Sequence, residues 1–248
     1  MGKRGSVIRR VAIIVAMRAE GMPLIKRLGL TEVKGPCRLP FRWFDGRVGG
    51  LDVRVALNGV DTRHGVDQIA TQPATLNAYV TATSFSPDLL LTAGTAGGWR
   101  AKGAEIGDVY LSGSPLVFHD RRVPLPGFEE YGHGRYPVVD IAGAASRLRL
   151  KTGVVSTSNS LDGSEPDASI MASHGADVKE MEAAAVGWVA NTMGVPIVAI
   201  KAITDHVDHG ADTAEQFTAN FSLATERLVD AVERLLEDAD GRSLGYLA

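Results

Sequence analysis

The sequence is short of cysteine, of long apolar runs and of net charge. Its 248 residues include a single cysteine, Cys37, so neither an intrachain disulfide nor a thiolate metal cluster is available, and a reducing, cytoplasmic setting is expected. Lys and Arg number 26 against 29 Asp and Glu, and this near-balance gives no electrostatic footprint for nucleic acid. The longest apolar run covers residues 11–17, far below a membrane span, and Arg18 and Glu20 follow it closely. The basic start MGKRGSVIRR therefore lacks the apolar continuation of a secretory signal, and no targeting segment is read. What is present is a 45% apolar chain, long enough to bury one core unaided.

Residues 11–15 are apolar on both faces, as in the centre of a covered sheet. A short helix ended by Gly29 follows, and residues 41–57 then alternate around Asp45-Gly46, a dipeptide that predicts a tight hairpin turn. The spacing of Leu76, Tyr79 and Val80 predicts a helix over 71–85, with Pro73 in its first turn. A buried strand begins at Asp88, and Gly94, Gly97 and Gly98 are read as interrupting it before extended structure resumes over 106–118. Residues 119–137 mix Pro, Gly, charge and aromatics and read as a binding or interface loop. Later segments predict a short Ala-rich helix, a strand over 152–158, a helix started by Pro166 or Asp167, and a compact helix stopped at Gly194. Residues 195–205 read as a central strand, and an amphipathic helical region with a break near Asn220 closes the chain. Strands separated by helices, with one early hairpin, give an α/β fold with a mixed sheet covered by helices.

Three acids stand at similar places: Glu20 and Asp205 follow buried strands, and Glu182 opens the small-residue helix MEAAAV. Strand ends converge on ligand crevices in open α/β sheets. Such carboxylates either cap helices and turns, or converge to protonate a leaving group, activate water and bind sugar hydroxyls. The glycine-rich TAGTAGG lacks both the P-loop Lys-Ser/Thr and the dinucleotide GxGxxG spacing; it reads as a turn, or as main chain open to a flat base or sugar. TDHVDHG crowds Asp205, His206, Asp208 and His209 together without a recognised metal spacing, so these are read as polar turn residues and no metal is assigned. Arg121-Arg122 is read as a solvated pair and Trp188 as core packing.

Taken in order, AMRAE, TAGTAGGWRAKGAEIGDV, FHDRR, KEMEAAAV and ITDHVD resemble the 5'-methylthioadenosine nucleosidases of the purine nucleoside phosphorylase/hydrolase family, nearest to the plant type, from Val11 to about Leu236. The resemblance implies a single three-layer α/β/α domain with a central twisted mixed sheet over residues 9–240, residues 1–8 and 241–248 being terminal extensions. It implies a homodimer that needs no cofactor and hydrolyses the adenine–ribose bond of 5'-methylthioadenosine, with S-adenosylhomocysteine accepted by some members. By the same resemblance Glu20 activates water, Glu182 binds the ribose hydroxyls and Asp205 protonates adenine. Thr95 and Gly97 line the glycine loop, Met181 lines the sugar pocket, and Lys201 and Thr204 support the acids. Leu161 and Asp162 lie in the adenine-binding segment, where some relatives carry Phe at the Leu161 position and a Gly-Asp turn at the positions of Ser158 and Asn159. Leu125 and Phe128 reach the partner subunit's 5' pocket. The alternatives are a phosphorylase, kept open by Arg18, Arg63 and Arg121; a nucleosidase for another 5'-modified purine nucleoside; and a nucleoside-binding protein without activity.

Overall fold

A computed structural model describes residues 6–35, 38–208 and 212–248. Cys37, His209 and the first five residues of the N-terminal extension lie outside that range. The first half of the chain forms β1 (Arg10–Val15), α1 (Arg18–Arg27), β2 (Thr31–Val33), β3 (Arg42–Val48), β4 (Leu51–Leu57), the small pair β5 (Val60–Asp61) and β6 (Val66–Asp67), and α2 (Thr71–Phe85). Then come β7 (Leu89–Gly98), β8 (Val109–Ser112), β9 (Val117–Phe118), α3 (Phe128–His133), α4 (Ala142–Leu148), β10 (Lys151–Gly153) and β11 (Val155–Thr157). The chain finishes with α5 (Glu165–Ser173), β12 (Val178–Glu180), α6 (Ala183–Met193), β13 (Ile197–His206) and α7 (Thr213–Ala239).

Eleven strands form one mixed sheet in the order β10-β8-β13-β7-β1-β4-β3-β2, with β12, β11 and β9 continuing from the far end of β7. The central strands β4, β1, β7 and β13 are parallel. Alternation within β1 divides the core: Val11, Ile13 and Val15 face a cluster with Leu24, Leu228 and Val232 of α1 and α7. Ala12 and Ile14 face a second cluster with Ala74, Ala78, Val186 and Val189 of α2 and α6. The fold is therefore a three-layer α/β/α domain, and β1 is apolar on both faces because it is covered on both.

Five local expectations are corrected. The hairpin turn lies at Gly49-Gly50, because Asp45 and Gly46 pair with Arg54 and Val53 inside the ladder. The Asp45 carboxylate accepts two 2.7 Å bonds from the Arg54 guanidinium, while Gly49 takes the φ of +58° that the turn requires. The glycines of β7 do not interrupt it: the strand continues to Gly98 because β13 pairs with it on one edge and β12 on the other. Helix α7 runs unbroken through Asn220, whose side-chain amide donates to Thr204 O at 2.9 Å and so ties the helix to β13. The buried face of α2 is Ala74, Asn77, Ala78, Thr81 and Ala82, while Leu76 and Tyr79 point outward. Trp188 is likewise 42% exposed, since α6 packs through its alanines and leaves its bulk outside.

Candidate active site

Strand β1 stays paired with β7 only as far as Ala93, and β12 takes the same edge from Gly97. A cleft opens in this gap, lined by Glu20, Thr95, Gly97, Leu161, Met181, Glu182, Thr204 and Asp205. It lies at the carboxyl ends of the parallel strands, where such sheets bind ligands. The three acids singled out by sequence meet there. Lys201 supports the site from behind, fully buried on β13. Asp162 is exposed and outside the lining, and Leu125 and Phe128 project into solvent at 59% and 52% exposure, away from this chain's own cleft.

Glu20 follows β1 on the first turn of α1 and is 3% exposed. Its Oε1 accepts from both the amide and the hydroxyl of Thr95, each at 2.7 Å. Burial raises its pKa, against the opposing pull of the Thr95 bonds and of Lys201. A base held at this raised value binds and releases a proton nearer neutrality than a solvated Glu.

Glu182 sits at the head of α6, where β12 ends. Its Oε1 accepts from the Ala70 amide at 2.8 Å, which requires Ala70 to adopt φ 74°, ψ -171°, a conformation suited to glycine. Burial, together with the charges of Glu180 and Glu20, raises Glu182 to about 7 against the attraction of Lys201. Glu180 behaves oppositely: its carboxylate is 2.8 Å from the Lys201 ammonium and accepts from the amides of Glu182 and Ala183 and from the Thr157 hydroxyl. Lys201 and these bonds hold it below the usual range although it is buried.

On the other side of the cleft the β13–β7 register slips at Thr204, a bulge that brings Asp205 opposite Gly97. Asp205 is 4% exposed, and burial raises its pKa, opposed by the Thr204 hydroxyl and by Lys179. Thr204 Oγ1 lies 2.8 Å from Asp205 Oδ1 and 3.2 Å from Ala96 O. A hydroxyl has one proton to give. Given to Asp205 Oδ1, the nearer of the two acceptors, it stabilises the carboxylate, which is why Thr204 opposes the rise that burial causes.

Sequence reasoning missed Glu180, Lys179 and Phe217, which also line the cleft. Glu180 stands two residues before Glu182, and no local pattern marks it because its partner Lys201 is distant in sequence. Lys179 Nζ donates to the carbonyls of Ser160 and Leu161 and so holds the loop that carries them. Asn159 is anchored by Asp120 and by Thr71. Of the Arg121-Arg122 pair, Arg122 is exposed, as expected of a solvated arginine, and ion-paired with Asp167, while Arg121 is half-buried and stacks on Phe118 at 4.7 Å. Asp208 accepts from the amides of Arg100 and Ala101, and His206 Nε2 lies 3.0 Å from Ala104 O. Among the described residues no three His, Cys, Asp or Glu side chains are grouped to hold a metal ion, and no helix among them is long and apolar enough to cross a membrane.

Residues 10–237 match the family model described as the phosphorylase superfamily. The chain is 38% identical to a 5'-methylthioadenosine nucleosidase of Arabidopsis thaliana, over 97% of this chain and 91% of that protein. It is equally identical to a 5'-methylthioadenosine/S-adenosylhomocysteine nucleosidase of the same plant, over 99% of each. The solved apo structure of Arabidopsis thaliana 5'-methylthioadenosine nucleosidase superposes with a TM-score of 0.95 at 37% identity, covering 97% of this chain and all of that one. Futalosine hydrolase of Helicobacter pylori shares the fold, with a TM-score of 0.76 at 19% identity over 93% of this chain and 98% of its own. On sequence, fold and the place of the cleft, the chain belongs to the phosphorylase superfamily, beside the 5'-methylthioadenosine nucleosidases that it matches along nearly its whole length.

Proposed function

We propose that the protein hydrolyses the N-glycosidic bond of 5'-methylthioadenosine, releasing adenine and methylthioribose. The observation that carries this reading is the placing of two acids along one strand. Glu20 is bonded to Thr95, and Asp205 lies opposite Gly97, two residues further along β7. A nucleoside lying along that strand meets one acid on the sugar side and one on the base side. Asp205 gives its proton to adenine N7 while the C1'–N9 bond breaks and its electron pair passes to the base, which leaves neutral. Water attacks C1' and gives a proton to Glu20, and exchange with solvent resets both acids. Glu182 receives the 2' and 3' hydroxyls and stabilises the positive charge that develops on the sugar.

Water is favoured over phosphate by the charge of the cleft. Glu20 and Glu182 face the sugar side, and the three arginines that kept phosphorolysis open are engaged elsewhere. Arg18 bonds Asp67, Arg63 bonds Asp61, and Arg121 stacks on Phe118 and Tyr131. Even one ionised carboxylate of this pair would repel an anion placed against it by several kcal/mol at an effective dielectric of about 20. The reading includes a homodimer, supported by the outward apolar face of Ile69, Leu76, Tyr79 and Trp188 on and beside α2 and α6. In it the exposed Leu125 and Phe128 close the 5' end of the partner's cleft. A cytoplasmic location belongs to the same reading, on the single cysteine.

Product analysis with 5'-methylthioadenosine, with and without inorganic phosphate, tests the reaction. Adenine and free methylthioribose at a rate independent of phosphate are expected; a phosphate-dependent sugar phosphate refutes hydrolysis. S-adenosylhomocysteine added as a competitor then reports whether its larger 5' tail enters.

A further inference from the structure

The cleft is backed by a charge arrangement that the reaction scheme leaves unexplained. Three buried or cleft-facing carboxylates, Glu20, Glu180 and Glu182, surround one buried ammonium, Lys201. A Cβ placed on Gly94 would lie 3.4 Å from Glu20 Oε1 and 3.5 Å from Lys201 Nζ, so the lysine head reaches the sugar side of the cleft. Yet Lys201 makes its close contact with Glu180, at 2.8 Å, and both side chains are 1% exposed. Glu180 is the most heavily bonded acid of the three. Besides Lys201 it accepts from the Glu182 amide at 2.9 Å, from the Ala183 amide at 2.9 and 3.0 Å, and from Thr157 Oγ1. Every strong donor within its reach stabilises its anion.

We propose that Glu180 is a positioning residue for the hydrolysis: by taking Lys201 and the amides at the head of α6, it fixes Glu182 in place to hold the ribose hydroxyls and leaves Glu20 without a counter-ion of its own, free to take the proton of the attacking water. One ammonium compensates one carboxylate, and Glu180 is the one it compensates. Placing two further unpaired charges in the same low-dielectric pocket is costly, so the remaining pair holds a proton between them around neutrality. Geometry adds a second effect. The Glu180 carboxylate is bonded to the main-chain amide of Glu182 itself, so it sets the angle at which that side chain leaves the head of α6. The charged and titratable groups facing Glu180 are Lys201 on β13, Glu182 ahead of α6 and His119 after β9, with Glu20 on α1 facing Lys201 and Glu182, and His119 is held neutral by burial.

This inference rests on the hydrolase reading, and the two fail in different ways. If the wild-type protein releases no adenine from 5'-methylthioadenosine, the reading itself is wrong; if it does, Glu180→Gln tests the inference. The substitution keeps the shape, removes the charge and frees Lys201 to turn toward Glu20 and Glu182. Expected is a fall in kcat of about 10- to 100-fold, the scale on which outer partners of functional groups act, with KM changed by less than about threefold. The acidic limb of the kcat/KM profile moves to lower pH, because loss of the Glu180 charge and release of Lys201 both favour ionised Glu182. Glu180→Asp, which keeps the charge, restores most of kcat and returns the limb toward its wild-type position. An unshifted limb in Glu180→Gln, or a kcat within about twofold of wild type, overturns the proposal. Should Glu180→Gln not fold, Lys201→Met is compared with Lys201→Met/Glu180→Gln, in which the buried pair is removed together. Acting through Lys201, Glu180 then adds less than about threefold to the loss; a further tenfold loss refutes that route.

Discussion

Replacing Gly97 by alanine tests the placement of Asp205 without touching any ionisable group. A Cβ at this position would lie 2.6 Å from Asp205 Oδ2 and 2.9 Å from Val207 Cγ2. Ordinary contact begins at 3.4 Å, so the carboxylate must retreat by about 0.8 Å. It cannot retreat freely, because Oδ1 is bonded to Thr204 and the backbone is held in the ladder with β7. Misplacing a reacting group by about 1 Å costs on the order of 100-fold, or about 2.7 kcal/mol in activation free energy. The expected outcome for Gly97→Ala is a kcat for adenine release lowered by about 100-fold, with a folding loss of about 1–3 kcal/mol from overpacking. The control is Gly98→Ala, whose Cβ would meet Ala104 Cβ at 2.8 Å and Ile203 Cδ1 at 3.1 Å. It loses comparable stability but reaches no acid, so its folded fraction keeps its kcat. Both quantities come from a continuous assay of adenine release at saturating substrate together with urea unfolding. If Gly97→Ala turns over within about threefold of wild type, Asp205 is not the positioned acid of the reaction.

Asp205→Asn, which keeps the size and removes the proton, is expected to lower kcat by about 100- to 10,000-fold while substrate still binds; near-normal cleavage would exclude Asp205 as general acid. Ala70→Gly relieves a backbone strain of about 1–2 kcal/mol and gives back about 0.4–1 kcal/mol through the freer unfolded chain. Urea unfolding should therefore show a small net gain with kcat unchanged, since the amide that Glu182 accepts from remains. His119 is fully buried, and burial drives its pKa down from 6.5 to about 4. Because the folded value is the lower one, stability is complete above about 6.5 and falls by about 3 kcal/mol as pH drops toward 4. His119→Asn removes that share of the slope, which melting temperatures across this window would reveal; parallel slopes would contradict it. Tyr79→Glu puts a charge on the outward face of α2, and sedimentation velocity should find monomers whose activity has dropped. A dimer unaffected by the change would place the interface elsewhere.

Much of this was legible in the sequence, for identifiable reasons. The central strands β1 and β13 showed because burial on both faces demands unbroken branched residues. The bounds of α2 showed through Pro73 and the apolar spacing, yet its orientation did not. Leu76 and Tyr79 satisfied the period while the tight packing against α6 selected the alanines. Asp45-Gly46 carried a true turn signal that tertiary structure overrode: Asp45 is bonded to Arg54, and a Cβ on Gly46 would come within 2.8 Å of Leu30. The three acids were visible because each ends a strand or opens a helix in a recognisable motif. Glu180 escaped because its meaning lies in an ion pair across 21 residues, which no local pattern carries.

The unbroken course of β7 also bears on which changes the site will tolerate. Gly97 lies two positions beyond Thr95 in the strand, about 6.6 Å on, and on the same face of the sheet. In the proposed reaction the two ends are therefore gauged by main chain. Substitutions along this stretch alter contacts by fractions of an ångström and can be absorbed or compensated nearby. A one-residue insertion or deletion shifts one end by about 3.3 Å and turns it to the opposite face, which no side-chain exchange can repair. Laboratory diversification of this protein should accordingly vary size and polarity around residues 94–98 and hold their number fixed.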